Sequence, residues 1–451
     1  MAYRGFFRQS RQVFGGGLML VDFEVENFRS YRQAKRLSMV ASSARELPRN
    51  LIDTDVGLQL VRSAVLYGAN ASGKSNLLAA MDCVSGLLET PMNRGMPSLN
   101  THSPFALDRT SGTKPSRFRV RFLISEVLYD YSVSIRVGLV DEERLIVYPH
   151  GRPQEWFHRK GKEIDFNSTH LKGQKQSLRS VTPPDVPLLS VAAAFEHPQL
   201  HPPSRWLRLN LCDHFNMLRF RPRMIRPEMG GFESAARRCH EDQSFRLWMC
   251  AFLRHADLGV QGLEIDVVEM KSGRPVYREG SLSTVEDVVQ NRYVPYFSHT
   301  GDDEITARFG LANESQGTQR LFAMMPHFFE VLRDGRLTVI DDVGAGLHPS
   351  LVRELIRAFH DPELNPKGAQ LVFATHDTSL LSGKLFRRDQ VWFTEKDGSG
   401  ATDLYSLNDI KGVREDESFE KGYMRGRYGA IPFFGSFDFP PVSQEPAEAA
   451  T

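Results

Sequence analysis

A short apolar strand, a glycine loop and a helix follow one another without interruption, and that succession restricts the fold more than any other feature of the chain. Ser63-Ala-Val-Leu-Tyr67 reads as a buried strand and Asn76-Leu-Leu-Ala-Ala-Met81 as the start of a helix. Between them, Gly68-Ala-Asn-Ala-Ser-Gly73-Lys74-Ser75 fits the spacing G-x-x-x-x-G-K-[ST]. A strand that feeds such a loop aims backbone N–H groups and the positive end of a helix at one point. Polyphosphate is the natural ligand of that point. The expected contacts are Gly68, Asn70, Ser72, Gly73, Lys74, Ser75 and Asn76, with Lys74 reaching the β and γ phosphates of ATP and Ser75 ligating Mg²⁺. The plainer alternative is a Gly/Ser-rich turn, and the strand and helix on either side argue against it.

The second half of such a site lies far downstream. Leu337-Thr-Val-Ile340-Asp341-Asp342 is an apolar strand ending in two carboxylates. A buried strand holds an acid rigidly beside a phosphate loop, so Asp341 is placed to hold Mg²⁺ through water and Asp342 to act as general base on the attacking water. Leu371-Val-Phe-Ala-Thr375-His376-Asp377 is another apolar strand, ending in a histidine at the height of a γ-phosphate. Glu314-Ser315-Gln316-Gly317-Thr318-Gln319-Arg320 opens a helix. Read by itself, Ser315 is an ordinary N-cap. Read with the strand that follows, Ser315 and the Gly317 N–H form a second phosphate-binding helix start. The catalytic set expected from the sequence is therefore Lys74, Asp342 and His376, with Ser75 and Asp341 as the metal pair.

Helix and strand patterns alternate from residue 314 to residue 374, which predicts a parallel α/β sheet with right-handed crossovers. Ahead of it, Leu20–Asn27, Arg117–Ile124, Tyr129–Val137, Arg144–Tyr148 and Glu155–His158 alternate apolar and polar residues, the mark of half-buried antiparallel strands. Leu37–Ala41 is a further strand candidate, and Val260–Met270 reads as a strand returning the chain to a sheet. Residues 188–260 read as mostly helical, with one long segment near Ser234–His255. No heptad is sustained, so no long coiled coil is expected. The predicted organisation is a loose extension or start-site error over 1–18, an N-terminal lobe over 19–181, a helical Arg-rich insertion over 182–260, a C-terminal lobe over 261–438, and a disordered Pro/Glu/Ala tail over 439–451.

Composition removes other classes. At a net charge of +1, bulk electrostatics selects no partner. No apolar run reaches the length of a membrane span. Four scattered cysteines without a C-x-x-C pair argue against a zinc site or a disulfide framework and for a reducing cytoplasm. Local charge is more informative. Residues 202–255 hold ten arginines against five acids, densest at Arg219-Phe220-Arg221-Pro-Arg223 and Arg226. Such a run suits DNA or RNA phosphates with stacking on Phe220, and equally a solvated helix face. Arg425-Gly-Arg427-Tyr428 is similar, with Gly426 and Gly429 allowing close approach of a phosphate or partner chain.

The order of these motifs resembles the ABC-type ATPase head. It is most similar to the RecF/SMC/OLD-like branch and, within it, to the short bacterial AAA family ATPases found in phage-defence operons. Phe23–Ser30, Tyr67–Asn76, Glu314–Leu321, Asp341–Pro349 and Tyr423–Pro432 carry the resemblance. It implies an α/β P-loop NTPase with an antiparallel β subdomain and a helical insertion. It also implies a head-to-head dimer in which ATP lies between the P-loop of one copy and the Ser315–Gln319 signature of the other, a separate effector protein from a neighbouring gene, and ATP hydrolysis. Two departures stand out. The usual Asp-Glu pair is Asp341-Asp342, one methylene shorter, and Val343-Gly-Ala-Gly346 lacks the usual aspartate. A misplaced base costs roughly 10²-fold, so slow turnover or a nearly inactive ATP-binding scaffold stays open, beside a RecF-type repair ATPase acting on DNA.

Overall fold

The computed structural model describes residues 17–89, 103–211, 231–256, 259–278, 281–301, 304–414 and 417–432. Among the described residues seventeen strands run in chain order as β1 (Leu18–Glu26), β2 (Lys35–Ser38), β3 (Leu51–Asp53), β4 (Gln59–Val61), β5 (Ser63–Tyr67), β6 (Ser116–Ile124), β7 (Val127–Arg136), β8 (Leu139–Tyr148) and β9 (Gln154–Lys160). They continue as β10 (Glu163–Phe166), β11 (Val260–Arg278), β12 (Ser281–Thr300), β13 (Thr306–Gly310), β14 (Leu337–Ile340), β15 (Gln370–Ala374), β16 (Val391–Lys396) and β17 (Thr402–Ser406).

The central sheet has the order β14-β15-β5-β16-β17, with β14, β15, β5 and β16 parallel and β17 antiparallel at the edge. Every residue of β5, β14 and β15 is buried. Strands covered on both faces read as continuous apolar runs, and here successive residues feed two different cores. Ala64, Leu66, Leu337, Val339, Val372 and Ala374 join one of them. Val65, Tyr67, Ile340, Leu371 and Phe373 join the other. The helix Pro349–His360 carries the crossover from β14 to β15 and buries Leu351, Val352, Leu355, Ile356 and Phe359.

The first core lies between this sheet and a seven-stranded antiparallel sheet of order β10-β9-β8-β7-β6-β1-β2, with the helix Lys74–Leu87 contributing Leu77, Met81 and Val84. The expected meander is present, and the N-terminal strand joins it by pairing with β6. Its alternation is clearest over the first seven residues of β6. Phe118, Val120 and Phe122 point inward, while Arg119 pairs with Asp130 at 2.6 Å and Arg121 pairs with Asp22. Helices Leu188–Ala194 and His201–Asn210 close the edge of this core. Glu143 fixes the first of them by accepting the N–H groups of Leu188 and Leu189 at 2.6 and 3.0 Å.

The structure departs from the expected elements in three places. Leu37–Ala41 is a strand only as far as Ser38, after which Val40 makes a single bridge to Leu60. The helical segment near Ser234–His255 is two helices, Gly231–Glu241 and Gln243–His255, because Asp242 takes an extended backbone and its carboxylate accepts the Phe245 N–H at 3.0 Å, an N-cap in mid-segment. Val260–Met270 is a strand in a sheet, as expected, but the strand runs on to Arg278 and its sheet is separate from the two large ones. It continues into a hairpin of β11 and β12 with β13 alongside, a three-stranded sheet of its own. Arg308 holds the base of this ribbon through Glu264 at 3.2 Å, Asp266 at 3.1 Å and the Tyr296 ring at 4.5 Å. Among the described residues no helix is long and apolar enough to cross a membrane. Residues 1–16, the run 212–230 with Arg219, Arg221, Arg223 and Arg226, and the tail beyond 432 lie outside the described residues.

Candidate functional site

Register alone gathers the motif residues. Ala374 sits opposite Leu66 and Phe373 opposite Ile340 in parallel pairing, so Gly68, Asp341, Asp342, Thr375 and His376 all leave the sheet at its carboxyl edge. That edge is where open α/β sheets bind ligands. The loop is built for close approach. Gly68 has φ 152° and Gly73 φ 124°, and a Cβ at Gly68 would lie 2.4 Å from the Thr394 carbonyl, one at Gly73 2.4 Å from Thr402 Oγ1. Asn70 and Ser75 are exposed at the rim, and Ser72 and Lys74 are buried. The Lys74 ammonium donates to the carbonyls of Gly68 at 2.7 Å and Ala69 at 3.0 Å, lying across its own loop. No side chain caps the helix Lys74–Leu87, and its first turn carries no acid. Its N-terminal N–H groups and dipole therefore face the loop unopposed.

The loop leans on residues that sequence reasoning gave no role. Tyr31 Oη donates to the Gly73 carbonyl at 3.2 Å, Asn76 Nδ2 to Ser30 Oγ at 2.8 Å, and Thr402 Oγ1 to the Ser72 carbonyl at 2.8 Å. Arg29, with a left-handed φ of 50°, reaches Asn76 Oδ1 at 3.4 Å. The turn Phe28–Tyr31 thus forms one wall of the site. Its only sequence signal was the family resemblance of Phe23–Ser30. Thr394 and Thr402 had none, since a threonine in a strand is ordinary.

Electrostatics ties the four central side chains together. Burial pushes the Lys74 ammonium down to about 8, against the pull of Asp341 and Asp342. Burial, then the Lys74 charge, lowers the His376 imidazole below its usual value, while Asp342 and Asp341 oppose the shift. Both Lys74 and His376 therefore feel Asp341 and Asp342. Asp342 has φ 54°, a left-handed backbone that Asp tolerates better than most residues. The turn holding His376 is fixed from below, where Tyr67 Oη donates to the Asp377 carbonyl at 3.1 Å. Tyr67→Phe keeps the packing against Phe393 and Tyr423. It should cost about 1 kcal/mol in chemical denaturation, the net worth of one hydrogen bond, and slow any turnover by less than about tenfold.

Ser315 and Gly317 stand at the start of the helix Gln316–Asp334. Ser315 Oγ caps its own helix by accepting the Thr318 N–H at 3.1 Å, and a Cβ at Gly317 would lie 3.1 Å from the Gly346 carbonyl. Among the described residues neither makes a hydrogen bond to the loop Gly68–Ser75 of the same chain. The stretch Tyr423–Pro432 is also accounted for within the chain. A Cβ at Gly429 would meet Tyr405 Oη at 2.6 Å and Glu395 Oε2 at 2.7 Å, and one at Gly426 would meet Ile431 Cδ1 at 2.9 Å, so both glycines admit side chains of the same chain, and Arg427 pairs with Glu417 at 2.7 Å. Of the arginines in 202–255, Arg237 pairs with Glu241 at 2.8 Å, Arg238 bonds Glu330 and covers the Phe245 and Phe329 rings, and Arg254 donates to the Gln261 carbonyl.

The donor set fits a nucleotide with Mg²⁺. Among the described residues no three His, Cys, Asp or Glu side chains come together as a self-sufficient metal site. A cation here would need oxygens from a phosphate beside Asp341 and the exposed Ser75 hydroxyl, the mixed oxygen set that suits Mg²⁺. The parallel order, the glycine loop and the acid and histidine at the strand ends define a P-loop ATPase fold. The chain belongs to the family described as "AAA domain, putative AbiEii toxin, Type IV TA system", whose model matches residues 63–179 and 263–382, just over half of its length. Solved structures that resemble it include an SMC head domain from Thermotoga maritima, at 12% identity and TM-score 0.36 over 86% of this chain and 98% of that one. Another is the Smc head domain of Pyrococcus furiosus with an extended coiled coil, bound to the C-terminal domain of ScpA, at 11% identity and TM-score 0.38 over 91% and 99%. No curated protein matches the chain.

Proposed function

We propose that the chain is an ATP-hydrolysing switch that closes as a head-to-head dimer. The supporting observation is a division of the site. Lys74, Ser75, Asp341, Asp342 and His376 share one sheet edge, whereas Ser315 and Gly317 stand at a separate helix start on the same chain. In this reading Lys74 and the loop N–H groups hold the phosphates, Ser75 and Asp341 hold Mg²⁺, Asp342 takes the proton of the attacking water, and His376 contacts the γ-phosphate. The bound Mg²⁺ neutralises charge developing on the phosphate oxygens. Ser315 and the Gly317 N–H, from the second copy, close the far side of the same nucleotide.

Sedimentation with and without ATP, beside phosphate release, tests this. ATP should convert monomer to dimer and be hydrolysed. A chain that ignores ATP in both assays ends the reading. Ser315→Ala should weaken ATP-dependent self-association about tenfold, one charge-assisted hydrogen bond, and leave ATP binding by the monomer within about twofold.

The biological reading is a sensor in bacterial phage defence that acts with a separate effector, supported by the toxin–antitoxin description of the family. ATP-dependent co-purification with the product of the adjacent gene is its test. One observation favours a second reading, a slow ATP-binding scaffold: the carboxylate at the base position belongs to an aspartate held at φ 54°, shorter in reach than glutamate.

A further inference from the structure

The helix that begins with the signature is fastened to the turn that carries the base. Arg320, one turn into the helix Gln316–Asp334, donates one guanidinium N–H to the Ala345 carbonyl and another to the Asp342 carbonyl at 3.2 Å. One turn earlier Gly317 lies against the Gly346 carbonyl, where a Cβ would stand at 3.1 Å. Gly346 itself has φ 74°, and a Cβ there would come within 3.9 Å of Arg320 Cδ. Residues 342–346 are thus zipped to the first turn of the signature helix by a two-pronged guanidinium and a glycine-to-backbone contact. The turn begins with Asp342 in the left-handed region, a conformation that persists only where the surroundings over-determine it. Arg320 is a large part of that surrounding, because its planar fork fixes two carbonyls of one turn at once.

We infer that Arg320 is a positioning residue that couples the two ATP sites of the dimer. This rests on the composite-site reading above. Contact of one copy's Ser315 and Gly317 with the other copy's nucleotide settles the first turn of the signature helix. Arg320 passes that placement to the Asp342 backbone, and hence to the carboxylate facing the first copy's own nucleotide. Each site then reports its occupancy to the other through a rigid, contiguous path of one side chain and one turn. Arg320 touches no nucleotide in this scheme. It acts on rate and cooperativity, and leaves binding alone.

The test compares wild type, Arg320→Ala and Arg320→Lys in three measurements: binding of a fluorescent ATP analogue, steady-state hydrolysis against ATP concentration, and thermal melting. Wild type should hydrolyse ATP cooperatively. Arg320→Ala should bind the analogue within about twofold of wild type, lose about tenfold in kcat, and give a Hill coefficient near one. Arg320→Lys, which keeps the charge and one donor but loses the fork, should fall between them. Arg320→Gln replaces the alanine variant if that does not melt cooperatively. Unchanged kcat and cooperativity in the variants, or a loss of analogue binding that equals the loss in kcat, overturns the coupling. Hyperbolic hydrolysis by a wild-type dimer overturns it too while leaving the proposed function standing; a wild type that neither dimerises nor hydrolyses ATP removes both.

Discussion

Lys74→Ala should weaken ATP binding by about 100-fold or more and leave the fold intact. A charge-assisted hydrogen bond is worth roughly 1.5–3 kcal/mol, about 10- to 150-fold in affinity, and Lys74 supplies more than one to a triphosphate. Its ammonium is buried on the carbonyls of Gly68 and Ala69. Deleting it leaves two backbone acceptors that water can satisfy at the open edge of the site, so the stability loss is small. A fluorescent ATP analogue and a thermal melt, run on the same preparation, separate the two effects. Equal affinity in wild type and variant would remove the P-loop role from residues 68–75. A melt lowered far beyond a few degrees would show that the lysine serves the fold first.

How much of this was legible in the residues depends on where the information resides. The loop, the acid pair and the strand-end histidine were legible because their chemistry is local: a phosphate cradle needs glycines at set positions, and a rigid carboxylate needs an apolar strand beneath it. The parallel order followed from alternating periods. The wall Phe28–Tyr31 was not, because its hydrogen bonds to Gly73 and Asn76 cross 42 to 47 positions of sequence and involve Tyr, Ser and Arg side chains that look ordinary in a turn. Thr402 is harder still, reaching the Ser72 carbonyl across 330 positions. The hairpin β11–β12 escaped because its partner strand, Ser281–Thr300, mixes charges, Val and Asn without a clean alternation, so only the first half of β11 read as a strand. Asp242 shows a different limit. A single capping carboxylate divides a helical pattern, and periodicity is blind to it. Arg320 follows the Ser315–Gln319 signature in sequence, and nothing local says that two carbonyls of the turn 342–345 accept its guanidinium.

Asp342→Asn should trap ATP and hold the dimer closed, lowering turnover by about 10²- to 10⁴-fold, the usual contribution of a positioned general base. The substitution isolates charge. Asn is nearly the same size as Asp, and it is among the few residues that accept a left-handed backbone without penalty, so the φ of 54° at this position is preserved. The Asp342 carbonyl still accepts from Arg320. What disappears is the proton acceptor, together with a negative charge that acts on both Lys74 and His376. Analogue binding should therefore stay equal or tighten, while phosphate release falls. Asp342→Glu supplies the complementary measurement. It restores the carboxylate one methylene further out and should raise the rate if reach limits the native enzyme. A slower Asp342→Glu with normal binding would mean that the turn held by Arg320 has set the aspartate at its working distance. Hydrolysis by Asp342→Asn at the wild-type rate would assign the base to another group, His376 first, since burial and the neighbouring Lys74 charge already keep its imidazole neutral and able to accept a proton.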